Sequence, residues 1–222
     1  MPFPVILAAP SGGGKTTITR RLLAERGDLG YSVSATTRPP RPGEVDGESY
    51  HFMTPEEFEA AVTSGEFAEY AEVHGHRYGT LRREVEAVLA SGRNVVMDID
   101  VQGAAQFAAA FPDAVRIFVV PPSAGILIQR LRGRGTEDGD TIAMRLRGAI
   151  AELASIGEFE YLVVNDDLDR AVRDVSCIID AESLRRVRAP AVASVAAEIV
   201  SALAAELSVV SEERRTDASV HT

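Results

Sequence analysis

Apolar residues fall along this chain in two rhythms. Short continuous runs occur at Val5-Ile6-Leu7-Ala8, Asn94-Val95-Val96-Met97, Val115-Arg116-Ile117-Phe118-Val119-Val120, Tyr161-Leu162-Val163-Val164 and Ser176-Cys177-Ile178-Ile179. Their length and β-branched content predict buried strands. Between them, Leu81 to Ala90 and Val101 to Ala109 read as helices, and Ile18, Leu22 and Leu23 share one helical face after the first run. Continuous apolar strands alternating with helices predict an α/β fold, with a mostly parallel core sheet covered by helices on both faces.

Two segments break the alternation. Residues 31–79 are polar, with a turn-rich passage Arg38-Pro39-Pro40-Arg41-Pro42-Gly43 and short strand-like pieces around a helix at Pro55 to Ser64. Residues 123–158 are arginine-rich and read as two helices flanking Gly135-Thr136-Glu137-Asp138-Gly139. Both look like insertions. The expected organisation is a single domain over 1–209, with a core of 1–30, 80–122 and 159–209. An alanine-rich helix from Ala189 to Leu207 closes it, and 210–222 are expected to be a disordered tail.

Composition narrows the classes. At 222 residues and 45% apolar content, the chain can bury a proper core. Its 33 acids against 23 bases give a net charge of −10, which argues against a general nucleic-acid or membrane-surface binder. Cys177 is alone, so no internal disulfide forms; a buried strand position in a reducing cytoplasm is expected. The run Phe3 to Ala9 lacks a basic leader, and no stretch is expected to approach the ~20 apolar residues that span a bilayer. The scattered histidines, His51, His74 and His76 among them, show no metal-like spacing and read as surface or packing residues.

One feature of the charge pattern changes the picture. The chain has a single lysine, and it lies in Ala9-Pro10-Ser11-Gly12-Gly13-Gly14-Lys15-Thr16. Arginine supplies every other fixed cation, but a compact ammonium on a slim stem suits a phosphate chain in a way the planar guanidinium does not. Strand, glycine loop, Lys-Thr and helix form a phosphate-binding loop, whose backbone N–H groups turn inward before a helix N-terminus. Lys15 would reach the β- and γ-phosphates, and the Thr16 hydroxyl would ligate Mg²⁺. Ala9 replaces the usual first glycine. The competing reading is a flexible glycine turn.

A second cluster lies in the first insertion. Arg38 and Arg41 sit among prolines that fix the backbone, which suits bidentate recognition of a phosphate. Tyr50 and Tyr78 can add hydroxyl donors, and the Glu69 carboxylate can accept two N–H bonds from guanine, a donor pair that adenine lacks. Taken singly, the arginines also fit a solvated loop and Glu69 a surface strand.

Together with the phosphate loop, Ser34 to Gly43, Gly47-Glu48-Ser49-Tyr50-His51-Phe52, Glu69-Tyr70-Ala71, Tyr78-Gly79-Thr80, Asp98-Ile99-Asp100-Val101-Gln102-Gly103 and Arg132-Gly133-Arg134-Gly135-Thr136 resemble guanylate kinases, in that family's order, over about residues 3–209. The resemblance implies a P-loop nucleoside monophosphate kinase fold, with 31–79 as a GMP-binding insertion and 123–158 as a lid. It implies that Arg38, Arg41, Tyr50 and Tyr78 hold the GMP phosphate, while Ser34 and Glu69 read guanine with Thr80 nearby. Asp98 and Asp100 would contact the acceptor, and Asp98 would order the Mg²⁺ water shell; a turn or helix cap is the competing role for both. For ATP it implies Ala9 to Thr17, the lid arginines Arg130 and Arg134, and Asn165 beside the adenine, with Arg145 a further lid arginine. Lys15, Arg38, Arg134 and Arg145 form the implied catalytic set; Arg132 and Arg147 are left as surface residues.

The implied activity is transfer of the ATP γ-phosphoryl group to GMP, in the cytoplasm, with Mg²⁺ and no nucleic-acid or membrane partner. Use of dGMP and oligomeric state stay open. The alternatives are a non-catalytic scaffold module that binds phosphorylated peptides, a kinase for a sugar phosphate such as a ribose bisphosphate, and a nucleotide-hydrolysing regulator. An intact Lys15-Thr16, the base-reading Ser34 and Glu69, and the lack of a water-positioning motif weigh against them in turn.

Overall fold

A computed structural model describes residues 1–73, 75–132 and 139–220, without the side chains of 139–140 and 209–220. Its described residues divide into two compact units, Pro2–Asp180 and Met1 with the segment from Ala181 onward.

In the first unit, β1 (Pro4–Ala8) is the middle strand of a five-stranded parallel sheet. Its neighbours are β7 (Asn94–Asp98) and β8 (Val115–Val120), with β2 (Leu29–Gly30) and β9 (Tyr161–Val164) at the edges. Every residue of β1 is buried because both faces are covered. Val5 and Leu7 point to one core with Ile18, Leu22 and Val175, beside α1 (Lys15–Glu25) and α7 (Leu168–Ser183). Ile6 and Ala8 point to the other core with Val85 and Phe107, from α3 (Arg82–Ala90) and α4 (Val101–Ala110). The period-two alternation of one apolar run thus feeds two cores.

The first insertion forms its own four-stranded sheet, ordered β4 (His51–Phe52), β3 (Ser34–Thr36), β6 (His76–Leu81) and β5 (Phe67–Val73). Phe58 and Ala61 of α2 (Pro55–Thr63) pack with Ala35, Phe67 and Leu81 in its core. That helix starts at a capping box, with the Thr54 hydroxyl accepting from Glu57 N, the Glu57 carboxylate accepting from Thr54 N, and Pro55 at the first position. The second insertion supplies α5 (Ala124–Arg132) and α6 (Gly139–Ala154), joined by Leu127, Leu131 and Ala149; Gly135 to Asp138 of the expected turn lie outside the described residues.

Two expectations need correction here. Ser176–Ile179 is helix, not strand, because Leu168, Ala171, Val172, Val175 and Ile179 repeat every three or four residues and place one face of α7 in the core. Cys177 falls between those positions and is exposed.

In the second unit, buried Arg188 pairs with buried Glu182, and the chain's amino terminus donates to the Arg188 carbonyl. The expected terminal helix is α8 (Pro190–Val220), longer than expected and including most of the stretch expected to be disordered; Glu212, Glu213, Arg214 and Arg215 are good helix formers. A further correction concerns its apolarity. Pro190–Ser208 has a mean hydropathy of 1.5 and is long and apolar enough to cross a membrane, by length and composition alone.

Candidate active site

The loop between β1 and α1 is held by contacts that leave little freedom. Gly13 N donates to the Pro10 carbonyl at 2.7 Å, and Gly12 and Gly14 take positive φ values of 81° and 94°. Glycine tolerates that backbone and other residues rarely do. Ala9 is fully buried in the core, and a Cβ at Gly13 would lie 2.7 Å from the Ala9 methyl. The methyl at the usual glycine position is therefore accommodated by the bare backbone at 13. Asn165, at the end of β9, donates its amide to the Gly13 carbonyl at 2.8 Å. Lys15 then opens α1.

The carboxyl ends of the parallel strands bring acids to this loop. Asp98 ends β7, and its Oδ2 accepts from the Thr16 hydroxyl at 2.5 Å. Asp100 is the N-cap of α4, with Oδ1 accepting from Gly103 N at 2.7 Å, so the cap reading is correct for one of its oxygens. Both aspartates, with Thr16, line a cleft of about 770 Å³.

Its other walls come from the insertion: Ser34, Arg41, Tyr50, Glu69 and Tyr78. Ser34 and Glu69 both pair with Thr80 of β6, so the sheet puts these three residues side by side. A register shift after Phe67 interrupts the β5 ladder next to Glu69. Glu69 is only 7% exposed, and its Oε1 accepts from the Thr80 hydroxyl at 2.6 Å. Burial pushes the Glu69 carboxyl up to about 7; the Asp100 charge adds to this, while the Thr80 hydroxyl and backbone oppose it.

Arg38 and Thr80 stand behind the cleft wall rather than on it. The Arg38 guanidinium holds both oxygens of Glu44, at 2.8 and 2.9 Å, and lies 5.5 Å from the Tyr50 ring centre. Glu44 also accepts from Arg41 N, and these contacts hold its carboxyl below the usual range. One acid thereby ties the Arg38 side chain to the Arg41 backbone.

A second hollow, of about 430 Å³, is lined by Gly12, Gly14, Thr17, Arg130, Asn165, Asp166 and Leu168. Arg130 reaches toward the Asn165 carbonyl, and its Nη1 is buried without a hydrogen-bond partner among the described residues. An unpartnered guanidinium N–H on a residue that shares this hollow with Gly12 and Gly14 fits an anionic ligand there, with Asp166 the one opposing charge among the described residues of the lining. Arg145 donates to the Leu131 carbonyl at 3.1 Å, which ties α6 to α5. Arg134 lies outside the described residues. A larger open hollow of about 860 Å³ beside α2 carries Glu56, Glu59 and Glu72, with Arg77 paired to Glu59, and so repels anions.

Three residues of this region escape a reading of the sequence. Arg20 and Tyr31 line the cleft, and the Tyr31 hydroxyl is held above the usual phenol range by burial and then by Asp98. Glu152, on α6, accepts from Ser11 N in the loop at 3.1 Å.

A parallel sheet with a glycine loop at its central strand, acids at the next strand end and a separate sheet facing them defines a P-loop kinase of the nucleoside monophosphate type. The chain belongs to the guanylate kinase family, whose family model, described as guanylate kinase, matches residues 1–182. It is 47% identical over 179 residues to the guanylate kinase of Dechloromonas aromatica, covering 81% of this chain and 89% of that one. With the guanylate kinase of Symbiobacterium thermophilum it shares 49% over 184 residues, 83% of this chain and 87% of the other. Among solved structures, the guanylate kinase of Anaplasma phagocytophilum is similar with a TM-score of 0.67 and 32% identity, covering 84% and 89% of the two chains.

Proposed function

We propose that the protein transfers the γ-phosphoryl group of ATP to GMP, reversibly and with Mg²⁺, giving ADP and GDP. The observation that carries this reading is Glu69. A carboxylate is buried at one end of a cleft whose other end is Thr16 and Asp98 beside the phosphate loop. Ionised Glu69 accepts the ring N–H and amino group of guanine, and Ser34 lies in the same row of the sheet on the other side of Thr80. Arg41, Tyr50 and Tyr78 take the GMP phosphate, with Arg38 behind them.

ATP lies along the loop from Ala9 to Thr17, with Arg130 and Asn165 at the second hollow. Among the described residues no group of three acids, histidines or cysteines can hold a metal alone. Thr16 and Asp98 offer the hard oxygens that suit Mg²⁺, Thr16 directly and Asp98 through water, and the ion supplies charge neutralisation to the phosphates when bound.

An acceptor phosphate oxygen is already a nucleophile, so the protein supplies position and positive charge rather than a base. Lys15, Arg38, Arg134 and Arg145 carry that charge from three segments, and closure of the insertion and lid keeps water from the phosphoryl group. A cytoplasmic setting and an open choice between GMP and dGMP belong to the same proposal.

The test is ADP release with Mg·ATP and, in turn, GMP, AMP, CMP and UMP as acceptors. Selective turnover with GMP is expected. Measurable ATP binding with no turnover on any of them would return the scaffold and sugar-phosphate readings.

A further inference from the structure

Glu152 puts a carboxylate where an anion-binding loop should repel one. It sits near the end of α6, and its Oε2 takes the Ser11 N–H of the phosphate loop at 3.1 Å, across 141 residues of sequence. The group is half-buried, it feels the attraction of Lys15, and Asp100 repels it. An incoming triphosphate needs the same loop and the same lysine and carries several negative charges of its own. At a few ångströms to a nanometre, in the partly screened dielectric of such a site, like charges oppose each other measurably.

The helix that bears Glu152 belongs to the second insertion and is joined to α5 by Arg145 through the Leu131 carbonyl. Leu127, Leu131 and Arg130 of α5 in turn lie against Gly12, within 3.5 to 3.7 Å of where its Cβ would be. A carboxylate leaving Ser11 therefore acts on the elements that cover the loop.

We propose that Glu152 is a positioning residue that stands in for phosphate: it occupies the ligand-free loop through Ser11 and is displaced by ATP, which couples ATP arrival to movement of α6. This rests on the reading of the loop as the ATP site. Competition makes the stand-in oppose ATP binding, while a permanent structural tether would support it. The two roles predict opposite signs.

The experiment is calorimetric ATP binding, without GMP, to wild type, Glu152→Gln and Glu152→Ala. Gln keeps an oxygen acceptor for Ser11 but removes the charge. Both variants should bind ATP about fivefold or more tightly, in line with the loss of one nearby like charge, and GMP affinity should be unchanged. Equal or weaker ATP binding in the folded variants overturns the stand-in role, melting temperature and GMP affinity certifying the fold. Should Gln fail to fold, Ala decides by the same criterion. Failure of wild type to bind ATP would instead strike the proposed function.

Discussion

In the proposed function the two ends of the cleft recognise their ligands by different means. At the phosphate loop the groups that matter are largely backbone, fixed by positive-φ glycines and by Asn165 on the Gly13 carbonyl. At the guanine wall they are side chains, brought together by pairing of β3, β5 and β6 and held by one buried carboxyl. A phosphate carries the same charge whatever nucleotide bears it, so oriented N–H groups and a lysine suffice. A base must be told from its rivals, which requires a buried acceptor whose alternative is an unpaired polar group. The loop end is thus set for rate and the wall for choice.

Breaking the loop end should have the largest effect. Lys15→Ala is expected to lower turnover about 10³-fold or more, as loss of a phosphoryl-charge stabiliser does elsewhere. GMP affinity should change little. Steady-state kinetics showing less than about a tenfold loss would remove Lys15 from its role.

Breaking the wall should change choice before rate. Glu69→Gln loses a charge-assisted acceptor at about 1.5–3 kcal/mol, roughly a 10- to 150-fold loss of GMP preference over AMP. Competition between the two monophosphates measures it. Untouched preference would mean that Glu69 does not read the base.

How far each end was legible in the sequence follows the same division. The loop is a continuous string flanked by β1 and α1, so Gly12 to Thr16 were readable from spacing alone. The wall is assembled from residues 34, 69 and 80, and neither their adjacency nor the burial of Glu69 is visible before the sheet forms. Glu69 was readable as a possible acceptor for guanine but equally as a surface acid, and Ser34 and Thr80 became readable only through resemblance to a family. Glu152 on Ser11 gave no local signal, because a lone acid on an arginine-rich helix looks like a surface charge. Ser176–Ile179 was misread because a short β-branched run outweighed the longer helical period around it. The reach of α8 to Val220 was missed because charge was taken for disorder.

The buried carboxyl also makes the comparison titratable. In its proposed role Glu69 must be ionised to bind GMP, so affinity should fall about tenfold between pH 8 and pH 6, through a midpoint near 7. The GMP phosphate titrates in the same range, so the difference between wild type and Glu69→Gln isolates the residue. Stability without ligand runs the other way. A carboxyl raised from 4.5 to about 7 contributes stability that is full below its unfolded range and lost as pH rises through 7. Thermal melts of wild type should therefore gain from acidification relative to the Gln variant while GMP affinity declines. Glu69→Gln should leave the pH dependence of ATP affinity unchanged, since Glu69 lies at the other end of the cleft from the loop.

The smallest effect sharpens the contrast most, because it alters the wall without touching a ligand. Thr80 donates its hydroxyl to Glu69 Oε1 at 2.6 Å from a buried position and is one cause that holds the Glu69 carboxyl down. Thr80→Val keeps the shape and removes the donor. Burial and Asp100 then act with less opposition, so the midpoint for GMP binding should move upward. At pH 8, where wild-type Glu69 is mostly ionised, GMP affinity should fall only a few-fold, about the loss of one hydrogen bond. At pH 9 most of that loss should return, because the charge is restored even though the hydroxyl is not. A merely structural Thr80 would weaken binding equally at both pH values, and that result would separate the hydroxyl from the charge it is argued to support.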